Sequence, residues 1–440
     1  MGLKNVRFLV YMILIFLLCL SWDHLWCANA RSHTPKKPAK NSTAAPPNIN
    51  GGSGSISNFS VLNYGAKGDG IADDTNAFAA AWTDACKVQG SVMIVPSGSV
   101  FLVKPISFSG PNCQSNIVFQ LDGKIIAPTD SEPWGSGLLQ WIQFTKLNRI
   151  TIRGEGIIDG QGSVWWHSGQ SNTGRMPSTR PTALRFYGSS DVTVTGITIQ
   201  NSQQTHLKFD TCVGVQVFGI SISSPVDSPN TDGIHLQNSQ NVVIHTTSLA
   251  CGDDCISIQT GCSNVYIYDI NCGPGHGISI GALGPDGTKA CVSNVNVRDS
   301  TIRDASTGLR IKTWQGGWGT VKGVTFTNIQ VSGVGTPLMI DQFYCNSNKC
   351  ANKTSAVAIS DVSYQSIKGT YTVKPVYFAC SDSRPCVGVQ VANVELTPIS
   401  RSTDPFCWEA YGNLKTPTLP PINCLRTQLV TPNYDTSASC

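Results

Sequence analysis

Three short segments of the chain carry aspartates and a histidine at a constant interval. They read NTDGIHL (230–236), GDDCISI (252–258) and GHGISIG (275–281). Asp232, Asp254 and His276 follow one another at steps of 22 residues, and the apolar positions after them coincide. If each segment forms one coil of a repeating β structure, successive coils lie about 4.8 Å apart. The spacing therefore predicts that these three polar side chains line a single stripe.

Two further features add charge to this stripe. Asp253 stands beside Asp254 in ACGDDC (250–255), and TGLRIKT (307–313) places Arg310 and Lys312 at outward positions of the next coil. Regular strand geometry would point one of the two neighbouring aspartates inward, where an isolated charge is costly. We therefore expect a turn or bulge at 252–256 that lets both carboxylates reach the groove.

Carboxylates grouped on an open groove suit the hydrolysis of a glycosidic bond. One acid must hold a proton for the leaving oxygen, while another is ionised and activates water or attacks carbon. Close carboxylates repel each other, which raises the pKa of at least one, and Arg310 offers two donors to an acidic sugar. Taken singly, Asp-Gly at 232–233 is ordinary turn chemistry, and Arg310 with Lys312 could be a solvated face. Their coincidence in one register favours a catalytic groove.

A second repeat indicates which elements position these residues. A four-residue motif recurs along the chain. Its first position is usually a small residue or Asn, its second is Val or Ile, its third is any residue and its fourth is apolar. Its copies are RITI (149–152), DVTV (191–194), GVQV (214–217), NVVI (241–244), NVYI (264–267), NVNV (294–297), GVTF (323–326), AVAI (356–359) and GVQV (388–391). A base period near 23 residues, with insertions and no helix between copies, predicts a parallel β-helix. A β-sandwich is the alternative, but it has no reason to keep one motif at this spacing.

The chain before this repeat falls into three parts. A basic start, an apolar run and Ala28-Asn29-Ala30 predict a secretory signal peptide over residues 1–30; a signal anchor is disfavoured because the run is shorter than the ~20 residues that span a bilayer. Residues 31–55 are predicted to be a Pro-, Lys-, Gly- and Ser-rich linker. Residues 56–440 are predicted to be the β-helix domain, with one helix whose N-cap is Asp74 or Thr75.

Charge and composition exclude several classes of partner. The net charge is +4, but residues 31–50 carry four bases and no acid, so residues 51–440 carry about −1. The folded part is not basic, which argues against a nucleic-acid partner, and no later apolar run is long enough to span a membrane. The linker is expected to be a solvated tether, with loose attachment to an acidic polymer as the alternative.

Cysteine usage points to an oxidising compartment. Seventeen cysteines in a secreted chain predict disulfides. Cys19 and Cys27 fall in the signal region, so fifteen remain and at least one thiol is expected to be free. A zinc cluster would have to use Cys251, Cys255, Cys262 and Cys272, whose spacing is irregular, and we predict no metal and no cofactor. Glycosylation sequons occur at Asn41, Asn58 and Asn352.

Taken together, the motifs resemble those of the polygalacturonases, the pectin-degrading glycoside hydrolases, and of their plant members in particular. The four signature segments are SPNTDG (228–233), GDD (252–254), GHG (275–277) and RIK (310–312), in the family order. YGAKGDGIADDTNAFAAAW (64–82) and GIIDGQGSVWW (156–166) are similar as well, so the resemblance covers residues 59–430. It implies an all-β, right-handed parallel β-helix of the pectin-lyase-like type with a short N-terminal capping helix. It also implies a secreted monomer that hydrolyses α-1,4-galacturonan in the cell wall with inversion.

The resemblance assigns roles residue by residue. Asp253 resembles the general acid, Asp232 and Asp254 the pair that activates water, and His276 the histidine that supports the acid's protonation. The implied contacts with the polygalacturonan substrate are Asn230, Arg310, Lys312 and Tyr344. The implied disulfides are Cys345–Cys350, Cys380–Cys386, Cys86–Cys113, Cys255–Cys272 and Cys407–Cys424. Cys212, Cys251, Cys262, Cys291 and Cys440 remain, and they could form two further pairs and leave one thiol.

The sequence is compatible with three other activities. A hydrolase that cuts rhamnogalacturonan would share the scaffold, although the two cations favour galacturonate at the cleaved bond. A pectate lyase would use calcium and a basic residue for elimination. A wall-binding protein would have the groove without turnover. Both endo and exo attack are compatible with the motifs.

Overall fold

The computed structural model describes residues 57–166, 176–345, 350, 352–354, 356–427 and 440. The predicted signal peptide and linker, residues 1–30 and 31–55, lie outside the described residues. Residues 55–440 form one compact unit. None of the helices in the described part has the length and apolar character of a membrane-spanning segment.

One face of the molecule is an eleven-stranded parallel sheet, which we call the site sheet. Each strand of this sheet pairs with the strand of the next coil along the chain. Its strands are Ile106–Ser109, Gln140–Thr145, Thr182–Tyr187, Leu207–Asp210, Ile234–Gln237, Ile256–Ile258, Ile278–Leu283, Thr307–Trp314, Thr336–Tyr344, Val376–Ala379 and Phe406–Trp408.

The remaining nineteen strands form the back sheet, which has two faces in its N-terminal half. The first face contains Asn58–Ser60, Val92–Val95, Val118–Leu121, Thr151–Arg153, Ser190–Thr195 and Val213–Phe218. The second contains Asp69–Asp73, Val100–Leu102, Lys124–Ile126, Ile157–Asp159, Thr198–Gln200 and Ser221–Ser223. Both faces then continue in Gln240–Ala250, Cys262–Cys272, Lys289–Arg303, Trp318–Val334, Ala358–Tyr371 and Cys386–Pro398, and Ala410–Leu414 closes the sheet. This arrangement is a right-handed parallel β-helix, as predicted.

The register of the coils agrees with the 22-residue spacing. On the site sheet, Ile234 pairs with Ile256, and Ile256 pairs with Ile278. Ile278 in turn pairs with Leu309 across the longer connection. All four side chains are buried in the core. The predicted alignment of the three polar segments and of the fourth coil is therefore confirmed.

The first residue of the short back-sheet motif has a positive φ angle, which explains its composition. Asn241, Asn264 and Asn294 have φ of 56°, 55° and 52°, a left-handed conformation that Gly and Asn tolerate best. Their side chains also form a ladder: Asn264 Nδ2 donates to Asn241 Oδ1 at 2.9 Å, and Asn294 Nδ2 donates to Asn264 Oδ1 at 2.7 Å. The motif thus marks a corner that is repeated in every coil.

One predicted copy of this motif, AVAI at 356–359, is wrong. Val324 of the preceding coil pairs with Val362, whereas Ile359 pairs with Val321. The equivalent copy is therefore DVSY at 361–364, and its first residue, Asp361, has the expected φ of 54°. The letters of AVAI fit the pattern, but no residue there adopts the left-handed corner.

Replacing Asn264 with Val is expected to destabilise the fold by at least about 1–2 kcal/mol. A β-branched residue pays that amount for the left-handed backbone, and both ladder hydrogen bonds are lost as well. Asn264→Gly loses the same hydrogen bonds but keeps the backbone conformation, so it should cost less. Urea unfolding of the three proteins measures the difference, and equal midpoints for the two variants would show that the backbone conformation carries no cost.

A single helix of three turns covers the N-terminal end of the coils, as predicted. It spans Thr75–Ala85, and its buried residues include Phe78 and Trp82. Phe78 packs against Phe101 with ring centroids 5.5 Å apart. Asp74 precedes the helix but does not cap it with its side chain; its carboxylate instead accepts the backbone N–H of Lys67 at 2.6 Å. The only other α-helix among the described residues is the single turn Ser163–Trp166.

The five implied disulfides are confirmed, and a sixth joins Cys291 to Cys440. The five unassigned cysteines thus form one pair rather than the two that were possible. Cys212, Cys251 and Cys262 are free and fully buried among the described residues. Cys251 Sγ instead donates to the carbonyl oxygen of Asp253 at 3.3 Å.

Candidate active site

Three turns that enter the site sheet bring the predicted acids together. Asp232, Asp254 and His276 each lie two residues before a paired isoleucine, so they occupy equal positions on successive coils. The backbone confirms this alignment: Gly233 N donates to Asp254 O at 2.9 Å, and Cys255 N donates to Gly277 O at 2.8 Å. The side-chain partners, however, differ from coil to coil.

Asp253 is held by the coils on both sides of it. His276 Nδ1 lies 2.9 Å from Asp253 Oδ1, and Asn230 Nδ2 donates to Asp253 Oδ2 at 3.3 Å. The backbone N–H of His276 also donates to the carbonyl of Asp253 at 2.8 Å. The Asp253 side chain is 19% exposed. The carboxyl group is therefore fixed in position and still open to a ligand.

Asp254 is the buried centre of an ionic network. Its Oδ1 lies 2.5 Å from Arg310 Nη2, and its Oδ2 lies 3.0 Å from Lys312 Nζ. Ser279 Oγ donates to the same Oδ1 at 2.8 Å and accepts from Arg310 Nε at 2.9 Å. The two cations lie outward in strand alternation, as expected, but their charge is directed to this carboxylate. A buried carboxylate needs such partners because its desolvation is costly.

The chain bends between the two strands that flank the aspartate pair. Residues 251–255 belong to no strand, between Gln240–Ala250 and Ile256–Ile258. Gly252 is required there because a Cβ at this position would lie 1.9 Å from the carbonyl oxygen of Ser228. The predicted bend is therefore present, and both carboxylates line the cavity. Asp254 is nevertheless only 2% exposed, because Arg310 and Lys312 cover it.

Asp232 is supported by two histidines of different kinds. His235 Nδ1 lies 3.0 Å from Asp232 Oδ2 on the groove side. Beneath the turn, His206 Nδ1 lies 2.8 Å from the carbonyl oxygen of Asp232, and His206 Nε2 lies 2.7 Å from Ser224 Oγ. Burial lowers the pKa of His206 to about 4, so this ring is neutral at neutral pH. Since a carbonyl only accepts, Nδ1 carries the proton.

The two accessible acids have pKa values displaced in opposite directions. Burial raises the pKa of Asp232, and the hydrogen bond from His235 only partly opposes it. Burial also acts to raise the pKa of Asp253, but the hydrogen bond and charge of His276, with Lys312 and Arg310, outweigh it and lower the pKa. The unliganded site therefore favours a proton on Asp232 over one on Asp253.

An open cavity of about 280 Å³ collects these groups. Its walls include six of the eight predicted residues, namely Asn230, Asp232, Asp253, Asp254, Lys312 and Tyr344. Arg310 and His276 are not among its lining residues but contact Asp254 and Asp253 directly. The structure thus brings all eight predicted residues to one place.

Several lining residues are absent from the prediction, and they share one signal. Lys208, His235 and Ser257 occupy outward positions of paired strands, in register with Ser279 and Arg310. Aligning the outward position of Arg310 with the equivalent positions of the earlier coils would have identified these three residues. Gln259 and Trp314 also line the cavity.

Tyr344 lies at one wall with a second aromatic residue. Its ring centroid is 5.1 Å from that of Trp314, and the two planes meet at 85°. Lys312 Nζ lies 5.3 Å from the centroid of the Tyr344 ring. The ammonium group is therefore placed between the Asp254 carboxylate and an aromatic face.

A metal ion would have a possible ligand set here. Asp253, Asp254 and His276 place ligand atoms within 4.8 Å of one another. Both oxygens of Asp254, however, already contact cationic side chains, and His276 Nδ1 is engaged with Asp253. A cation would have to displace those contacts, so the arrangement suits an anionic ligand better.

Comparison with known proteins gives a consistent picture. Residues 86–409 match the family described as Glycosyl hydrolases family 28. A probable polygalacturonase of Arabidopsis thaliana is 41% identical over 369 residues, which are 82% of this chain and 83% of that protein. A polygalacturonase of Chamaecyparis obtusa is 45% identical over 345 residues, 77% of this chain and 66% of its own length.

Two solved structures share the fold. The exopolygalacturonase of Thermotoga maritima superposes with a TM-score of 0.66 at 21% identity and covers 77% of this chain and 86% of its own. The endo-xylogalacturonan hydrolase of Aspergillus tubingensis superposes with a TM-score of 0.69 at 22% identity, covering 80% and 96%. At this level of identity the likeness concerns the β-helix alone.

Proposed function

The chain belongs to glycosyl hydrolases family 28, and from that premise we propose that it is a polygalacturonase that hydrolyses the α-1,4-galacturonosyl linkages of pectin. The observation that carries the proposal is the cluster of three carboxylates in one open cavity with Lys312, Arg310 and Lys208 around it. Acids supply the proton and activate the water. The cations suit a substrate that bears a carboxylate on every sugar.

We assign the chemical steps to three aspartates. Asp253 donates a proton to the leaving glycosidic oxygen, while Asp232 and Asp254 hold a water molecule that attacks the anomeric carbon from the opposite face. The bond from carbon to the leaving oxygen breaks as the bond from carbon to water forms, and the water's proton passes to a carboxylate. This single displacement inverts the configuration at carbon.

The proton distribution must change when the substrate binds. In the unliganded site Asp232 is the more basic acid, whereas the proposed reaction needs the proton on Asp253. The carboxylates of a bound galacturonan add negative charge and exclude water, and both effects favour the protonated form of a nearby acid. A galacturonate carboxylate that draws the charge of Lys312 and Arg310 also weakens two of the effects that lower the pKa of Asp253. The shared proton then passes to Asp253, with His276 holding the carboxyl in place. The three acids act as one titrating unit.

Substrate contacts follow from the same geometry. Asn230, Lys312 and Tyr344 line the cavity, and each offers a donor or an aromatic face to a sugar. Arg310 lies one layer behind them and neutralises Asp254 with Lys312. A galacturonate carboxylate would share these two cations with Asp254, so binding and water activation are coupled through one network.

We also propose that the protein acts outside the cell, as a monomer, in the cell wall. Six disulfides among the described residues suit an oxidising compartment, in agreement with the signal peptide predicted for residues 1–30. Every residue of the proposed site comes from one chain. Size-exclusion chromatography tests the monomeric state, and detection of the protein in a cell-wall extract tests the location.

Purified protein should release reducing ends from polygalacturonate and none from rhamnogalacturonan. The products should lack the ultraviolet absorbance of unsaturated sugars, which a lyase would produce, and activity should persist when calcium is chelated. Release from rhamnogalacturonan alone would reassign the substrate. Binding of polygalacturonate without any turnover would leave only a wall-binding role.

Replacing His235 with Gln should move the alkaline limb of the kcat/KM profile to higher pH. His235 lowers the pKa of Asp232 through its hydrogen bond and its charge, so its removal lets burial raise that pKa further. The pH dependence of kcat/KM reports the pKa values of the free enzyme. The alkaline limb, at which the shared proton is lost, should therefore move to higher pH. His245→Gln, a change on the back sheet, is the matched control and should leave the profile unchanged. An alkaline limb that stays in place or falls would contradict the role of His235.

A further inference from the structure

The outward positions of the site sheet change character along the β-helix. Up to the coil of Thr307–Trp314 they include four cations, Arg185, Lys208, Arg310 and Lys312. Beyond that coil, Arg310 is followed in register by Met339, Tyr377 and Phe406, while Lys312 is followed by Asp341, Ala379 and Trp408. No outward residue on these last three strands carries a positive charge. We call Tyr377, Phe406 and Trp408 the aromatic end.

Two residues of the aromatic end are exposed on strands that continue the site sheet beyond the cavity. Phe406 is 39% exposed and Trp408 is 45% exposed. Phe406 stacks on Tyr377 with centroids 5.1 Å apart and planes 20° apart. Trp408 is fixed by a hydrogen bond from its Nε1 to Asp382 Oδ1 at 2.9 Å. Exposed aromatic rings that are held rigidly at the edge of a groove are typical of binding surfaces.

The charges near the aromatic end disfavour a free sugar carboxylate. Asp341 lies outward next to Lys312, and Asp382 contacts Trp408. Lys374 precedes the strand Val376–Ala379, where its Nζ donates to the backbone carbonyl of Asp404 at 3.0 Å. A carboxylate placed on the rings would meet two acids, and the repulsion between like charges costs free energy.

We propose that the aromatic end binds methyl-esterified galacturonate residues of the same polymer whose free-acid residues occupy the catalytic cavity. A methyl ester carries no charge, and both its methyl group and the C–H face of the sugar pack on aromatic rings. The groove therefore binds two kinds of sugar residue: ionised residues beside Arg310 and Lys312, and neutral residues two to three coils further along. This inference rests on the proposed function and adds the pattern of esterification to it.

The test compares two substrates of matched length, polygalacturonate and partially methyl-esterified pectin. The wild type should cleave both. Trp408→Ala and Phe406→Ala should each lower kcat/KM on the esterified substrate about ten-fold, as expected for the loss of an aromatic contact. On polygalacturonate the same variants should change kcat/KM less than about two-fold. Trp318→Ala removes an equally exposed tryptophan from the back sheet and should change neither value.

A second variant separates recognition from stability. Trp408→Lys places a cation at the aromatic end, so it should lower kcat/KM on the esterified substrate and raise it on polygalacturonate, a reversal that misfolding does not produce. Equal losses on both substrates, no loss on either, or a wild type that cleaves only polygalacturonate would each overturn the inference. A wild type inactive on both polymers would instead show that the proposed function is wrong.

Discussion

Replacing Asp253 with Asn should lower kcat on polygalacturonate on the order of 10²–10⁴-fold. Asp253 is proposed to give its proton to the leaving oxygen, and general acid catalysis contributes effects of that size. An amide keeps the shape of the side chain: its oxygen can accept from Asn230 Nδ2, and its NH2 group can donate to His276 Nδ1. Substrate affinity should therefore stay close to that of the wild type.

The control for this experiment is Asp227→Asn, an exposed aspartate of the turn that precedes Asp232. It removes one negative charge from the same region and should leave kcat unchanged. Initial rates of reducing-end release, with binding measured by calorimetry, separate the two parameters. If the Asp253 variant kept a tenth or more of the wild-type kcat, Asp253 would not be the acid.

Replacing Asp254 with Asn should damage both activity and stability. The change leaves Arg310 and Lys312 without their anionic partner in a buried place. Breaking a buried ion pair by removing one partner costs about 3–5 kcal/mol. The neutral amide also holds the attacking water less well, so kcat should fall on the order of 10²-fold or more.

Ser279→Ala is the matched comparison because it removes a neutral donor from the same carboxylate. It should cost only about 1 kcal/mol and leave most of the activity. Urea unfolding and initial rates on polygalacturonate measure both variants. If Asp254→Asn unfolded at the wild-type midpoint, the two cations would be stabilised by something other than Asp254.

The repeat of the coils was readable from the sequence because it is local and periodic. Ile234, Ile256 and Ile278 follow one another at a fixed step, and the inward position of one isoleucine predicts that of the next. The insertion before Leu309 did not obscure the pattern, since Gly308-Leu309-Arg310-Ile311 repeats its letters. The failure at AVAI has the opposite cause: the letters repeat, but the left-handed corner lies at Asp361.

The internal pairing of the site was not readable. Strand alternation places Arg310 and Lys312 outward, but it does not say where a long side chain ends. Both turn back to Asp254, 56 and 58 residues earlier, because a buried carboxylate at the bend needs partners. The 22-residue spacing aligns His276 with Asp254, and only the family resemblance connected it to Asp253, which it contacts.

The anomeric form of the first product tests the central claim most directly. Cleavage of polygalacturonate followed from the first minute by ¹H NMR should show a new reducing end in the β configuration, which later equilibrates with the α form. That result agrees with a single displacement in which Asp253 protonates the leaving oxygen and water is held by Asp232 and Asp254. A product that appears first in the α configuration would mean retention and a covalent intermediate, and signals of an unsaturated sugar would mean elimination; either result would contradict the proposed mechanism.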